Sequence, residues 1–186
     1  VVLLSSFFFQ AADGIRDYDL LEFRRVLFRS VKLVIDSTFA TPVNHRPLQD
    51  GAHIVLHSAT KYLSGHNDLL AGTITGDRDL VEPVRKALGV LGIIDSHGAW
   101  LLLRGLKTLA IRMRSHNANG QAVAEYLEQH PKVRQVWYPG LKSHPDHEVA
   151  ARQVQGFGEV VTFEIETGLQ GAIRFIDGTR IPYQTP

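Results

Sequence analysis

From residue 31 onward the apolar positions fall into short runs divided by turn residues. "VKLVID" (31–36) is almost continuously apolar and ends in an acid, the pattern of a strand covered on both faces. "TFATPVNHRPLQDG" follows as loop, with two prolines and Asp50-Gly51 as punctuation. "AHIVLHS" (52–58) predicts a second buried strand and "AGTITGD" (71–77) a third. Asp77 is placed to cap a helix near 78–91, whose regular part Pro83 is expected to open.

The clearest periodicity lies in 95–130. Ala99, Leu102, Leu103, Leu106, Leu109, Ala110 and Met113 recur at helical spacing, with Asp95 or Ser96 as N-cap. After "SHNANG" the stripe resumes at Ala122, Val123, Tyr126 and Leu127 and stops at His130-Pro131. One long or kinked helix bridging two domains is expected, with Trp100 in the core. "VRQVWYPG" (133–140) predicts a strand, "HEVAARQV" a helix, "GEVVTFEIET" (158–167) a strand and "GLQGAIRFIDG" a helix. Strands alternating with helices predict an α/β chain. The expected division is 31–114 and 115–186, with the boundary inside the long helix at about residues 110–118.

Residues 1–30 stand apart. "SSFFFQ" is an aromatic run, and "LLEFRRVLFRS" alternates apolar residues with arginine and lacks caps. A secretory signal places its basic residues before the apolar run, not after it. The segment resembles translated sequencing-adapter read-through and is set aside as a non-native extension.

Composition narrows the function classes. The chain has 186 residues, enough for one good core or parts of two domains; 44% are hydrophobic and 21% charged, ordinary for a globular protein. A net charge of +1 points to neither nucleic acid nor an anionic membrane as partner. With no cysteine there are no disulfides or thiolate metal sites, which fits a reducing compartment and a cytoplasmic location. No apolar run approaches the roughly 18 residues of a spanning helix.

The candidate chemistry centres on "HSATKYLSGH" (57–66). Asp36 and Lys61 each follow the carboxyl end of an apolar strand, where open α/β sheets bind ligands. Spacing alone leaves open a buried ion pair or two unrelated loop residues. Ser58 and Thr60 add hydroxyls beside a tight turn, which can cradle a phosphate or simply cap the turn. An amine, a distal carboxylate and a phosphate anchor are together what pyridoxal phosphate needs.

"IDSTFATP" followed by "GAHIVLHSATKYLSGHNDLLAG" resembles the Cys/Met-metabolism family of pyridoxal-phosphate enzymes. The likeness continues through "LLLRGLKTLAIRM" and "HPKVRQVWYPGLKSHPDHEVAARQ" and covers essentially residues 31–186. "GIIDSHGAWLLLRGLKTL" and "FIDGTRIPYQTP" look most like its cystathionine γ-synthase branch. The resemblance implies a partial type I, aspartate-aminotransferase-like fold: the later part of the large domain and the start of the small C-terminal domain. It implies that Lys61 forms the Schiff base and then moves substrate protons, that Asp36 keeps the ring nitrogen protonated, and that Ser58 and Thr60 bind the phosphate. The implied reaction is γ-replacement on an activated homoserine by cysteine, with γ- or β-lyases of the same family as rivals. A non-catalytic phosphate-binding fragment is the reading from another class. The implied assembly is a homotetramer with shared sites.

Ser37 stands where the family usually has Asn. The family's ring-stacking tyrosine and its substrate-carboxylate arginine have no counterpart here, so an incomplete, inactive fragment is expected. Weaker signals point to packing. "HPDH" (144–147) reads as a solvated loop rather than a metal site. His53 and His57 are expected to pack or hydrogen-bond, and His66 and Asp68 to shape the loop after Lys61. Gly156-Phe157-Gly158 reads as a turn, and Arg112 and Arg114 as the polar face of the long helix.

Overall fold

Leu33, Val34 and Ile35 are all buried, so β2 (Leu33–Asp36) is covered on both faces, as its unbroken apolar run demands. The computed structural model describes residues 2–5, 32–91 and 94–179. Strand β3 (Ile54–Ser58) runs parallel to β2, with Asp36 opposite Leu56. Strand β4 (Gly72–Gly76) is antiparallel on the other side of β3. Strand β1 (Val2–Ser5), within the segment set aside above, pairs in parallel with β2 and completes a four-stranded sheet in the order β1-β2-β3-β4. A single turn, α1 (Thr41–Asn44), leads from β2 toward β3.

Helix α2 (Arg78–Leu91) begins ahead of Pro83, which lies inside it rather than opening it. The Asp77 carbonyl accepts from the N–H groups of Leu80 and Val81, at 3.0 Å each, and closes the first turn before the proline is reached. Pro83 then removes only one N–H from the helix.

The long or kinked helix expected over 95–130 is broken into two helices, α3 (Ser96–Leu106) and α4 (Leu109–Glu128). Asp95 is the N-cap, accepting from the Gly98 N–H at 2.6 Å. At Lys107 and Thr108 the N–H groups turn back to carbonyls only three residues earlier, Arg104 and Gly105, at 3.2 Å each. That tightened turn ends α3 and redirects the chain. The apolar stripe is therefore divided: Leu109 and Met113 are buried, whereas Leu103 and Leu106 are exposed. Trp100, expected in the core, is 55% exposed. The second stripe is also corrected. Val123 and Tyr126 face outward, and α4 turns Gly120 and Ala124 inward. Small residues let the helix lie close to its neighbour: a Cβ at 120 would run into the Gly158 carbonyl.

Besides the buried sheet residues Leu33, Val34, Ile35 and Val55, the core among the described residues has two clusters. Ala59, Leu63, Leu109 and Met113 pack beneath the segment that follows β3. Ala124, Val136, Tyr138 and Leu141 pack between α4 and an antiparallel pair, β5 (Val133–Trp137) and β6 (Thr162–Ile165). Helix α4 thus serves both clusters. Helices α5 (His147–Gln153) and α6 (Gly168–Gly178) complete the second.

Candidate active site

Strands β2 and β3 are neighbours and parallel, so their carboxyl ends share one edge of the sheet. Side chains alternate along a strand, so Asp36, in register with Leu56, shares a face with Leu56 and Ser58. The link between the strand ends is Thr38. Its hydroxyl donates to Asp36 Oδ1 at 2.6 Å and accepts the Ser58 N–H at 2.8 Å. Its own N–H reaches the same carboxylate oxygen at 3.0 Å. The signal for Thr38 was an Asp-x-Thr turn, a pattern that forms such local bonds, and the sequence reading missed it.

After Ser58 the chain enters a wide turn, Ala59–Leu63, in which the Ser64 N–H reaches back five residues to the Ala59 carbonyl at 3.0 Å. Lys61 interrupts it with non-helical torsions, φ −85° and ψ −116°. Ala59 and Leu63 are buried on one side and Lys61 is exposed on the other, so the amine stands clear of the core. The Gly65 N–H returns to the Lys61 carbonyl at 2.8 Å, and Gly65 has φ +73°, which glycine adopts without strain.

Thr60 is already engaged. Its hydroxyl accepts the Ala71 N–H at 3.0 Å and donates to the Ala71 carbonyl at 3.3 Å, tying the turn to the chain entering β4. To donate to a phosphate it must exchange that last bond. Ser58 is half-buried at the strand end.

Arg112 does more than line a polar helix face. Its guanidinium donates to the Tyr62 carbonyl at 2.8 Å, the Gly105 carbonyl at 3.0 Å and the Thr108 hydroxyl at 3.1 Å. It clamps the lysine turn to the α3–α4 break. Burial pulls its pKa below the ordinary arginine value, but an arginine remains charged throughout the physiological range.

The histidines divide as their surroundings dictate. His53 Nδ1 accepts the Leu33 N–H at 3.0 Å and helps hold β2 to β3. His57 is buried, and burial pushes its pKa below 6.5 against the opposing pull of a Ser37 backbone hydrogen bond and the Asp36 charge. It is therefore neutral at pH 7. His66 lies 2.6 Å from the Ser64 carbonyl and shapes the loop after the lysine. His144 accepts from the Asp146 N–H at 3.1 Å, and His147 lies 2.8 Å from the Pro139 carbonyl, both local loop bonds. Among the described residues no group of three or more metal-ligating side chains is gathered.

Gly156 and Gly158 are both buried and do more than form a turn. The Gly158 N–H donates to Asn117 Oδ1 at 2.9 Å, and its carbonyl accepts from the Tyr138 hydroxyl at 2.9 Å. Asn117 also exchanges two amide hydrogen bonds with Asn44, each 2.8 Å.

The profile of the Cys/Met metabolism PLP-dependent enzyme family matches residues 22–186, reaching back into the segment set aside at the N-terminus. The chain belongs to this family. It is 50% identical over 159 residues to "Cystathionine gamma-synthase 1, chloroplastic" of Arabidopsis thaliana, covering 85% of this chain and 28% of that protein. It is 45% identical over 150 residues to the O-succinylhomoserine sulfhydrylase of Pseudomonas aeruginosa, covering 80% of this chain and 37% of the relative. The crystal structure of cystathionine gamma synthase from Xanthomonas oryzae pv. oryzae, in complex with aminoacrylate and cysteine, superposes with a TM-score of 0.88 at 37% identity, covering 99% of this chain and 48% of that one. The chain therefore spans less than half the length of each of these relatives.

The family of PLP-dependent enzymes thus accounts for the α/β fold expected from the sequence. The donor set also suits the cofactor. A carboxylate held by two hydrogen bonds from Thr38 and a hydroxyl on the same face end two neighbouring strands, and an exposed lysine follows three residues after the hydroxyl. These are the groups that an aldehyde, a pyridine nitrogen and a phosphate need.

Proposed function

We propose that this chain carries the lysine-bearing part of a cystathionine γ-synthase-like enzyme, in which cysteine displaces the activated γ-substituent of an O-acyl or O-phospho homoserine. The observation that supports it is the sharing of one sheet edge by Asp36 and the Ser58–Lys61 segment, in a chain half-identical over 159 residues to a protein of that activity. Bound there, pyridoxal phosphate supplies an electron sink beside the substrate's α-carbon. Lys61 gives the amine that holds it. The same amine, once released by substrate, would take the proton from the α-carbon, return it to the conjugated system the cofactor supplies, and, neutral again, take a proton from the β-carbon, both removals being required before the γ-bond breaks. Asp36 would hold the proton on the ring nitrogen by charge attraction, strongest where water is excluded. Thr38 fixes the carboxylate's orientation. Ser58, Thr60 and nearby N–H groups take the phosphate.

The assembly we propose is a homotetramer with sites shared between subunits, and the partners are amino acids: activated homoserine, cysteine and cystathionine. Among the described residues no helix is long and apolar enough to cross a membrane. A cytoplasmic location is our reading from the lack of cysteine; the Arabidopsis relative is chloroplastic.

The sulfhydrylase among the relatives favours a second reading in which another sulfur nucleophile replaces cysteine. A γ- or β-lyase, methionine γ-lyase included, uses the same residues for elimination. The deciding experiment offers the full-length parent protein activated homoserine with cysteine, activated homoserine with sulfide, and cystathionine alone. Cystathionine formed in the first mixture supports the proposal. Faster turnover with sulfide, or keto acid released from cystathionine alone, replaces it with a rival. Lys61→Ala should lower the rate on the order of a thousandfold, the scale of a lost general base.

A further inference from the structure

Lys61 sits between two tethered neighbours. Thr60, before it, is tied to Ala71 through its backbone N–H, at 3.2 Å, and its hydroxyl. Tyr62, after it, is held by its carbonyl, which accepts from Arg112 Nη1 at 2.8 Å. The other two nitrogens of Arg112 turn to a different element. Nη2 donates to the Gly105 carbonyl, in the last turn of α3, at 3.0 Å, and Nε donates to the Thr108 hydroxyl at 3.1 Å. Every guanidinium nitrogen is thus engaged, on two segments far apart in the sequence. Gly65 makes room for the group, because a Cβ there would land on the guanidinium. Arg112 is itself half-buried, and the next residue of α4, Met113, is fully buried beneath the turn.

A guanidinium is planar and its donors point in fixed directions, so acceptors on its different nitrogens are held at a set spacing. We propose that Arg112 is a positioning residue for Lys61: its guanidinium fixes the Tyr62 carbonyl against the end of α3, and so sets the direction in which the amine one residue earlier projects. An ammonium could not replace it in this task. It is a point donor on a flexible stem and does not hold two carbonyls in one plane. The aim of an amine matters only toward a partner bound at a fixed place. The inference therefore rests on the cofactor reading for its consequence, but its backbone part stands without it.

The test compares the 186-residue chain with R112A and R112K. Each is treated with pyridoxal phosphate and borohydride, and separately with acetic anhydride. Both labels are mapped at Lys61 relative to Lys86 and Lys142, which are exposed. Amide hydrogen exchange is read at Ser64 and Gly65, whose N–H groups close the turn, and at Glu166, whose N–H bonds to the Lys132 carbonyl outside it. R112A should slow pyridoxyl labelling of Lys61, relative to the other lysines, on the order of tenfold, the scale of a hydrogen bond to a charged group. Acetylation of Lys61, which needs no aim, should not fall. Exchange at Ser64 and Gly65 should quicken by a similar factor, with Glu166 unchanged. R112K should fall between R112A and the parent chain, and it carries the test if R112A loses protection at Glu166 as well. Pyridoxyl labelling of Lys61 as fast as in the parent chain overturns the proposal, and so does a matching fall in its acetylation. A parent chain that never labels at Lys61 sinks the cofactor reading instead. The exchange arm then decides alone: unchanged protection at Ser64 and Gly65 overturns the positioning role, and faster exchange there with Glu166 unchanged upholds it.

Discussion

The lysine turn and helix α6 handle their apolar residues in opposite ways. In Ala59–Leu63 the apolar side chains go inward, against Leu109 and Met113, and hydrogen bonds from Ala71, Arg112 and Ser64 fix the backbone. In α6, Leu169, Ile173, Phe175 and Ile176 stay largely exposed, and Leu169, Ala172, Phe175 and Ile176 line an open apolar groove with Phe163 and Ile165 of β6. Phe175 meets Phe163 edge-on at 5.6 Å, so the helix does lean on its sheet. Among the described residues it shows none of the side-chain hydrogen bonds to distant segments that hold the turn. The first region is specified by directional bonds, the second by burial alone. A shape held by directional bonds resists sliding, whereas burial by itself has no preferred register.

The contrast can be broken most forcefully at Met113, which is fully buried beneath the turn. Met113→Ala should destabilise the chain by about 2–5 kcal/mol. Urea titration should show that loss, and Ile173→Ala on α6 should show far less, because Ile173 is already 41% exposed. Next comes Asn117, which ties α1 to the loop before β6. Asn117→Ala strands the buried Asn44 amide and the Gly158 N–H, and should cost about 1–3 kcal/mol in the same titration. Asp95→Ala removes the α3 cap and should cost about 1 kcal/mol, seen as fraying of the first turn by hydrogen exchange.

The smallest effect is in the pH slope. Burial lowers the pKa of both His57, beside the site, and His144, on the loop before α5. A histidine whose pKa is lower in the folded state binds fewer protons there than in the unfolded chain, so stability should fall as pH drops below 6.5. His57 is the more deeply buried, so His57→Asn should flatten that slope more than His144→Asn does.

The strands around the site were legible because buried parallel strands are unbroken apolar runs, and Asp95 because caps use few residue types. Pro83, Trp100 and the outward Val123 and Tyr126 were misread for one reason. Periodicity reports that a face exists; where a helix breaks, and which small residues let it approach a neighbour, depend on tertiary contact. Gly120 and Ala124 carry too little apolar area to stand out in a pattern, yet they turn inward. Lys61, Asp36, Ser58 and Thr60 were nominated from residue type and strand ends, and the structure gathers their backbones at one edge. What the sequence left hidden were the ties between them. Thr38 and Arg112 act through atoms that meet only after the chain has folded, Arg112 fifty residues away from the carbonyl it holds.

One consequence follows from Gly105. A Cβ there would collide with the Ser64 carbonyl, so α3 and the lysine turn touch main chain to main chain. Such a joint has no side chain to swing aside and no slack to absorb a nudge. Any tilt of α3, whose outer surface bears Trp100 and Leu103, must be transmitted undamped to the turn that carries Lys61. Pressure on that outer surface is thus felt at the lysine as leverage.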